Sequence, residues 1–485
     1  MVPPLNWKPR TIWTADCLYV LRGMNSASVD LIYLDPPFNS KADYAAPIGS
    51  IAAGAAFRDT WSLSDVDAEW INLMEARHPA LYRVLLAAMT DSDKAYLAYM
   101  AARILEMRRV LKPTGSIYLH CDDTASAYLR LVMDAVFGRG NFRNEIVWKR
   151  IGNHNDAGRF GRTNDRLLFY GAPIRRDAVR VPLTDANVSS KYRHRDGRGR
   201  YRKGDLTGPG VSQGEAGREW GGWNPTSIGR CWSVPRTGDY AAWIDRDVVP
   251  GYLTEPSILA RLDMLHEAGL IAFTRNGTPE LKRYLAANPG QVPPDVWTDI
   301  PPVNSQARER VGYPTQKPLA LLDRIIRASS DPGDMVLDPF CGCATTCVAA
   351  HALDRKWTGI DLSPKAADLV VERIRGDVRK AQGEVVQQGR IWREIIHRTD
   401  LPRRTDLGPL PHPRTHKTAL YGIQSGDCAG CREHFHARNL EVDHIIAREK
   451  GGTDHAENLQ LLCGHCNRTK GDRGMEYLRA KLQLR

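Results

Sequence analysis

Short apolar runs alternate with stretches of helical spacing over residues 11–140 and again over 313–375, and the pattern breaks between and after these blocks. Val29-Asp30-Leu31-Ile32-Tyr33-Leu34 is largely aliphatic and lies between Asn25-Ser26 and Pro36-Pro37, which predicts a buried strand of a parallel sheet. Residues 11–38 read as strand, helix, strand, a βαβ start in which Asp16-Cys17-Leu18 opens the amphipathic stretch. Apolar positions at Tyr96, Met100, Ile104 and Leu105 predict a helix over 94–112, stopped by Lys112-Pro113-Thr114-Gly115 ahead of a strand at 116–119. His120, Cys121, Asp122 and Asp123 follow that strand, placed either to line a cleft or to cap the next helix, 124–137. In the second block Pro318 stands in the first turn of a helix to about Ala328. A strand at 334–337, a loop of small residues, a helix over 348–353 and a strand at 357–360 follow. Strands alternating with helices predict an α/β, Rossmann-like fold.

From Asn141 onward and through 151–300, periodicity fades apart from one strand at 167–170. Trp220, Trp223, Trp232, Trp243 and Trp297 are spread here among arginines and glycines. Such mixtures suit phosphates and unstacked bases, although filling a small core is the simpler role for most of these rings. Charge sharpens the picture: the chain carries +11, and residues 151–230 hold 15 Lys and Arg against 8 Asp and Glu. A concentrated basic segment favours a polyanionic partner. A length of 485 residues with 42% hydrophobic content implies two to four domains. No 18-residue apolar run or charged-then-apolar leader is evident, so a soluble, cytoplasmic protein with no membrane span is expected. Ten cysteines in that setting are expected reduced, and metal-bound where they pair as C-x-x-C.

Asp35 stands at the carboxyl end of its strand, where open α/β sheets place their chemistry. Pro36 and Pro37 carry no N–H, so the turn offers a carboxylate and rigidly aimed carbonyls and almost no donors. A substrate with paired N–H groups, such as the exocyclic amine of adenine or cytosine, fits that arrangement. With Asp35 accepting one N–H and the Pro36 carbonyl the other, the nitrogen lone pair becomes available to a methyl donor, while Phe38 stacks on the base. In the second block Asp338-Pro339-Phe340-Cys341-Gly342-Cys343-Ala344 follows a strand and precedes an apolar helix, and Asp361 ends the next strand. That is how a Rossmann-like half holds a nucleoside-bearing cofactor, with Asp361 placed for ribose hydroxyls. The phosphate-type G-x-G-x-x-G is absent, which favours an adenosyl group without pyrophosphate.

Asp-Pro-Pro-Phe at 35–38, Asp-Pro-Phe-x-Gly at 338–342 and Tyr-Pro-Thr-Gln-Lys-Pro at 313–318 together resemble the amino-methyltransferases of DNA. Their order, catalytic motif first and cofactor motif last, is similar to the β class of that family, which includes modification subunits of restriction systems. The resemblance spans roughly residues 11–375. It implies a catalytic half (1–150), an inserted target-recognition region (151–300) and an S-adenosylmethionine-binding half (301–375). It also implies that Asp35, Pro36, Pro37 and Phe38 hold a flipped base and that Asp338, Phe340, Gly342 and Asp361 surround the cofactor. Asp16 corresponds to the family's Asp near the cofactor adenine, and Thr315 and Lys317 flank its methionine part. Cys343-Ala344 departs from the Ser-Gly of many relatives and puts a disfavoured left-handed conformation at Ala344.

Prolines at 402, 409, 411 and 413 predict that 376–417 is a linker, stiff and weakly structured toward its end. Beyond it, Cys428-x-x-Cys431 and Cys463-x-x-Cys466 supply the four thiolates of a tetrahedral structural zinc site. With Val442-Asp443-His444, Gly451-Gly452, Glu457-Asn458 and Cys466-Asn467-Arg468-Thr469-Lys470-Gly471, residues 418–471 resemble an HNH nuclease, the small ββα-metal fold, which implies an endonuclease domain over 418–485. That resemblance makes His444 the general base, Asp443 and Asn467 ligands of Mg²⁺ or Mn²⁺, and Asn458 the residue that pins the loop. The expected whole is an S-adenosylmethionine-dependent methyltransferase of double-stranded DNA, adenine N6 before cytosine N4, fused to an endonuclease, with room for a homodimer. A methyltransferase whose zinc module only binds DNA, and an RNA or protein methylase, are the alternatives; Asp35 and the HNH-like module favour DNA and cleavage.

Overall fold

The computed structural model describes residues 4–39, 43–46, 50, 52–53, 56–58, 78–151, 158, 160–380, 395–407, 412–450 and 452–482. Two compact units divide the chain, one of residues 1–178 with 294–485 and one of 179–293. The main sheet has nine described strands: β1 (Thr11–Thr14), β2 (Val29–Leu34), β3 (Leu111–Cys121), β4 (Phe142–Lys149), β5 (Asn164–Gly171), β6 (Val296–Trp297), β7 (Met335–Asp338), β8 (Lys356–Asp361) and β9 (Ile396–Arg398). Their spatial order is β6-β4-β5-β3-β2-β7-β8-β1-β9, and β5 alone among them runs antiparallel to its neighbours. The expected βαβ start therefore joins strands that are not neighbours, because β7 and β8, from the far end of the chain, insert between β1 and β2.

Alternation along β2 explains the layering. Ile32 and Leu34 pack on one face with α1 (Cys17–Gly23), α2 (Asp91–Val110) and α3 (Ser126–Phe137). Leu31 and Tyr33 pack on the other with α4 (Leu319–Ser329), α5 (Thr345–Ala352) and α6 (Lys365–Lys380). A strand covered by helices on both sides needs apolar residues at both parities, which is why β2 reads as a run and not as an alternation. Helix starts are set locally: Asp16 caps α1 by accepting from Leu18 N at 2.8 Å, and Thr90 caps α2 by accepting from Asp93 N at 3.1 Å. Pro318 is the N-cap of α4 rather than a residue of its first turn.

Two stretches that lacked periodicity prove ordered. Residues 142–149 form β4, whose partners β5 and β6 come from separate parts of the chain. Of the expected linker, 381–394 and 408–411 lie outside the described residues, whereas 395–406 are a strap on the sheet and not a loose spacer. β9 pairs in parallel with β1, Trp13 Nε1 donates to the Asp400 carbonyl at 3.0 Å, and Asn25 exchanges bonds with Thr405. The Asp406 carboxylate accepts from Ser26 N at 2.8 Å, and a Cβ at Gly23 would stand 2.0 Å from the Pro402 carbonyl oxygen. The groups that hold the strap sit some 380 residues away in the sequence.

The second unit has its own antiparallel sheet of 194–196, 199–205, 279–284 and 271–273, with a core of Trp232, Tyr252, Leu262 and Leu281. Trp220, Trp223 and Trp243 pack against that core, and Trp297 belongs to the main one. Near the C-terminus, β10 (Leu440–His444) pairs antiparallel with β11 (Leu459–Cys463), followed by α7 (Gly464–Lys470) and α8 (Met475–Leu482). This ββα module buries a separate small core of Leu420, Leu440, Leu461, Leu462 and Leu478. No helix among the described residues is long and apolar enough to cross a membrane.

Candidate active site

The order of strands reverses between β2 and β7, and a cavity of about 400 Å³ opens at their carboxyl ends. Asp35, Phe38, Lys317, Asp338, Gly342 and Asp361 line it, with Asp16, Thr315 and Phe340 at the same cavity. Nine of the residues singled out from the sequence, from positions 16 to 361, are thus brought to one place, and Pro36 and Pro37 complete the wall.

Asp35 follows β2 directly. Its Oδ2 accepts from Lys317 Nζ at 2.6 Å, while its Oδ1 is buried and has no hydrogen-bond partner among the described residues. Leaving such an oxygen unmade costs about 1–3 kcal/mol, a cost that binding of an N–H donor would remove. Phe38 stacks on the His120 ring at 6.1 Å and 16°, and Lys317 Nζ lies 5.5 Å from the Phe38 ring centre. Behind Phe38, fully buried His120 bonds Tyr33 Oη at 2.9 Å and Asp165 Oδ2 at 3.0 Å. Burial pushes the Asp165 carboxyl up, but its bond to His120 and the charges of His120, Lys317 and Arg150 bring it below the usual range. His120 therefore neither lines the cleft nor caps α3. It is a buried brace for Phe38; Asp122 accepts from Thr124 N at 2.9 Å in the turn ahead of α3, whose N-cap, Ala125, makes no side-chain cap bond.

On the β7 side, Asp338 accepts from Thr346 Oγ1 at 2.5 Å and from Phe340 N at 3.1 Å. Burial, with the charges of Asp35 and Asp361 adding to it, pushes its carboxyl up to about 7 against those two bonds. Asp361 accepts from Gly342 N and Ser363 N, both at 2.8 Å, and burial raises its carboxyl too. Three carboxylates and one ammonium, Lys317, face the cavity, and the excess of acids makes it receptive to a cation. Gly342 has φ +49°, and a Cβ there would stand 3.1–3.2 Å from the Tyr313 ring, so this cradle is closed to side chains. Ala344 does take the left-handed conformation, φ 58° and ψ 31°, at the start of α5. The loop is held there from outside, since Arg373 donates to the Cys343 carbonyl at 2.7 Å and to Thr345 Oγ1 at 2.9 Å. Asp16 is clamped by Arg103 Nη2 at 2.6 and 2.8 Å.

In the ββα module the Sγ atoms of Cys428, Cys431, Cys463 and Cys466 lie within 4.8 Å of one another. Gly430 N and Cys463 N donate to Cys428 Sγ at 3.4 and 3.2 Å, bonds that favour a thiolate. Four converging soft donors fit zinc. Asn458 spans the loop, accepting from Ile446 N at 2.9 Å and donating to the carbonyls of Ile446 and Thr453. His444 Nε2 pairs with Asp454 Oδ1 at 2.6 Å, and Arg448 grips the same carboxylate at 2.7 Å. The hard-metal pair is not assembled in this way. Asp443 is met by Gln460 Nε2 at 2.9 Å and by Lys470 Nζ at 3.2 Å, while the Asn467 amide donates to Glu441. As they stand, Asp443 and Asn467 do not fit a divalent ion, since an ammonium already holds the cation position. Sequence reading missed Asp454, Gln460 and Lys470 as partners; only Lys470 fell inside a recognised motif, and no spacing rule marks the others.

A family model described as DNA methylase matches residues 29–372, and one described as HNH endonuclease matches residues 428–473. Among curated relatives, the Type II methyltransferase M.EcaI of Enterobacter cloacae is 32% identical over 288 residues, covering 58% of this chain and 58% of that protein. The Type III restriction-modification enzyme StyLTI Mod subunit of Salmonella typhimurium is 27% identical over 367 residues, 71% of this chain and 50% of that protein. The DNA adenine methyltransferase YhdJ of Escherichia coli is 47% identical over 87 residues, 18% of this chain and 29% of that protein. The chain thus spans little more than half the length of the first two of these relatives.

Proposed function

Since the chain belongs to the DNA methylase family, we propose that it transfers a methyl group from S-adenosylmethionine to an exocyclic amine of a base flipped out of double-stranded DNA, adenine N6 in preference to cytosine N4. The observation that carries the reading is the buried Oδ1 of Asp35, without a partner among the described residues, in the same cavity as Asp338 and Asp361. Bound there, the cofactor supplies an electrophilic methyl group on a sulfonium. Asp35 Oδ1 accepts one amine N–H and the Pro36 carbonyl the other, drawing the nitrogen toward tetrahedral geometry as its lone pair forms the N–C bond. The S–C bond electrons stay on sulfur, and the amine proton leaves to solvent. Phe38, braced by His120, stacks on the base. Asp338 and Asp361 favour the cationic donor, and Gly342 admits it close to the backbone. The preference for adenine rests on Asp-Pro-Pro-Phe and on the relative named for adenine methylation.

The ββα module supports a second activity, hydrolysis of DNA, with His444 as base, oriented by Asp454, and zinc as a structural ion. The residues around the four cysteines leave little surface for reading a sequence, so the cleavage address is taken from the methyltransferase portion, with residues 151–300 as the reader. Asp35→Ala tests the first activity: S-adenosylmethionine binding should hold within a few-fold while methylation falls more than about 10³-fold. Undiminished methylation sinks the reading. Base-resolution mapping of methylated positions and cut ends, with wild type and His444→Ala, tests the second; cuts unrelated to the methylated sites reject the shared address.

A further inference from the structure

Lys317 lies on Asp35, and the turn that delivers it is built for that contact. Resting on the reading of Asp35 above, we propose that Lys317 is a positioning residue for methyl transfer, fixing Asp35 so that Oδ1 alone faces the target amine, and is not a ligand of the cofactor. Lys317 is 6% exposed, and its Nζ is 2.6 Å from Asp35 Oδ2 and 3.4 Å from the Thr315 carbonyl. The segment before it is pinned at both ends. Gln316 accepts from Val311 N at 2.9 Å and donates to the Glu309 carbonyl at 2.7 Å, while Glu309 caps α4 by accepting from Leu319 N at 2.8 Å. Thr315, a β-branched residue, is held at φ +61°, a conformation that persists only where the surroundings impose it.

The consequence is geometric. A carboxylate has two equivalent oxygens and a rotatable bond; with Oδ2 spent on an ammonium, the remaining acceptor is Oδ1, the atom that is buried without a partner among the described residues. Lys317 Nζ also stands over the Phe38 ring at 5.5 Å, so one cation sets both the acceptor for the amine and the ring that stacks on the base. Direct contact of this ammonium with a cationic methyl donor would be repulsive, whereas pairing with Asp35 removes one negative charge from a cavity that also holds Asp338 and Asp361. Misplacement of a reacting group by about 1 Å costs on the order of 10²-fold in rate, which sets the expected size of the effect.

The test is a double-mutant cycle on the full chain with Lys317→Met, Asp35→Asn and both together, reading single-turnover methylation at saturating cofactor alongside S-adenosylmethionine affinity by calorimetry. Lys317→Met alone should slow the methyl-transfer step about 100-fold with affinity within threefold. In the Asp35→Asn background the same change should cost less than twofold, because Lys317 acts through the Asp35 carboxylate. Affinity weakened tenfold with an unchanged single-turnover rate would make Lys317 a cofactor ligand and overturn the proposal. An equal 100-fold loss in both backgrounds would overturn it as well, since the effect would then not pass through Asp35. Full activity of Asp35→Asn alone would instead remove Asp35 from the chemistry, and the proposal with it.

Discussion

Asp35 and Asp443 both stand at the carboxyl end of a strand, and both are met by a buried lysine, but the two pairs are completed differently. Lys317 takes one oxygen of Asp35, and the other is left without a partner among the described residues, beside a cavity of about 400 Å³. Lys470, 1% exposed, reaches both oxygens of Asp443 and the His444 carbonyl, and Gln460 adds a fourth contact. An acceptor kept open in a cavity is ready for a donor that arrives with a substrate. A carboxylate saturated by its own fold is a structural element until something displaces its lysine. The cavity at the ends of β2 and β7 thus presents an open acceptor, whereas the ββα module presents its scaffold and its His444–Asp454 pair.

The largest effect should come from the scaffold. Cys463→Ser, or chelation of zinc, should unfold the ββα module, because structural zinc supplies about 10 kcal/mol or more to such small domains and the module's own leucine core is slight. Calorimetry should lose one transition while the main sheet's transition keeps its temperature. A module that melts unchanged without metal refutes the four-thiolate site.

Next in size are the two lysines, compared by the same substitution. Lys470→Met leaves Asp443 charged and enclosed, and breaking such a pair costs about 3–5 kcal/mol. Lys317→Met leaves Asp35 beside an open cavity that water can enter, so its melting temperature should move little while methylation suffers. Equal thermal penalties for the two variants would erase the distinction between an open and a saturated carboxylate.

How far these sites were legible in the sequence follows from the range of the interactions that build them. β2, β7 and β8 and the acids at their ends were readable, since each is a local run closed by a local turn. The strand order was not, because β7 and β8 enter between β1 and β2 from over 300 residues away. The strap at 395–406 looked like a linker because its bonds go to Asn6, Trp13, Asn25 and Ser26, and prolines alone do not reveal a partner. The four cysteines declared themselves by spacing, while Asp454 and Gln460 did not, lying in ordinary polar sequence. His120 was visible as a residue at a strand end, but its burial against Tyr33 and Asp165 is a property of three separate strands.

The smallest effect expected, a few-fold, concerns Asp338, whose carboxyl is pushed up to about 7 by burial and by the charges of Asp35 and Asp361. An unfolded Asp releases its proton near 3.9, so between about pH 4 and pH 7 the folded protein holds a proton that the unfolded chain has lost. This group's contribution to stability is therefore fully present below about pH 4 and is lost as pH rises through 7. Binding of a sulfonium has the opposite sign, since it favours ionised Asp338. S-adenosylmethionine affinity should accordingly rise several-fold from pH 6 to pH 8.5 while the melting temperature of the free protein falls. Asp338→Asn should flatten both trends, apart from a residual slope from Asp361, which is also raised by burial and faces the same cavity. The measurements are binding isotherms and melting curves across that pH range for wild type and variant. Parallel slopes in the two proteins would mean that Asp338 does not titrate there, and that the cavity's preference for a cation comes from Asp35 and Asp361 alone.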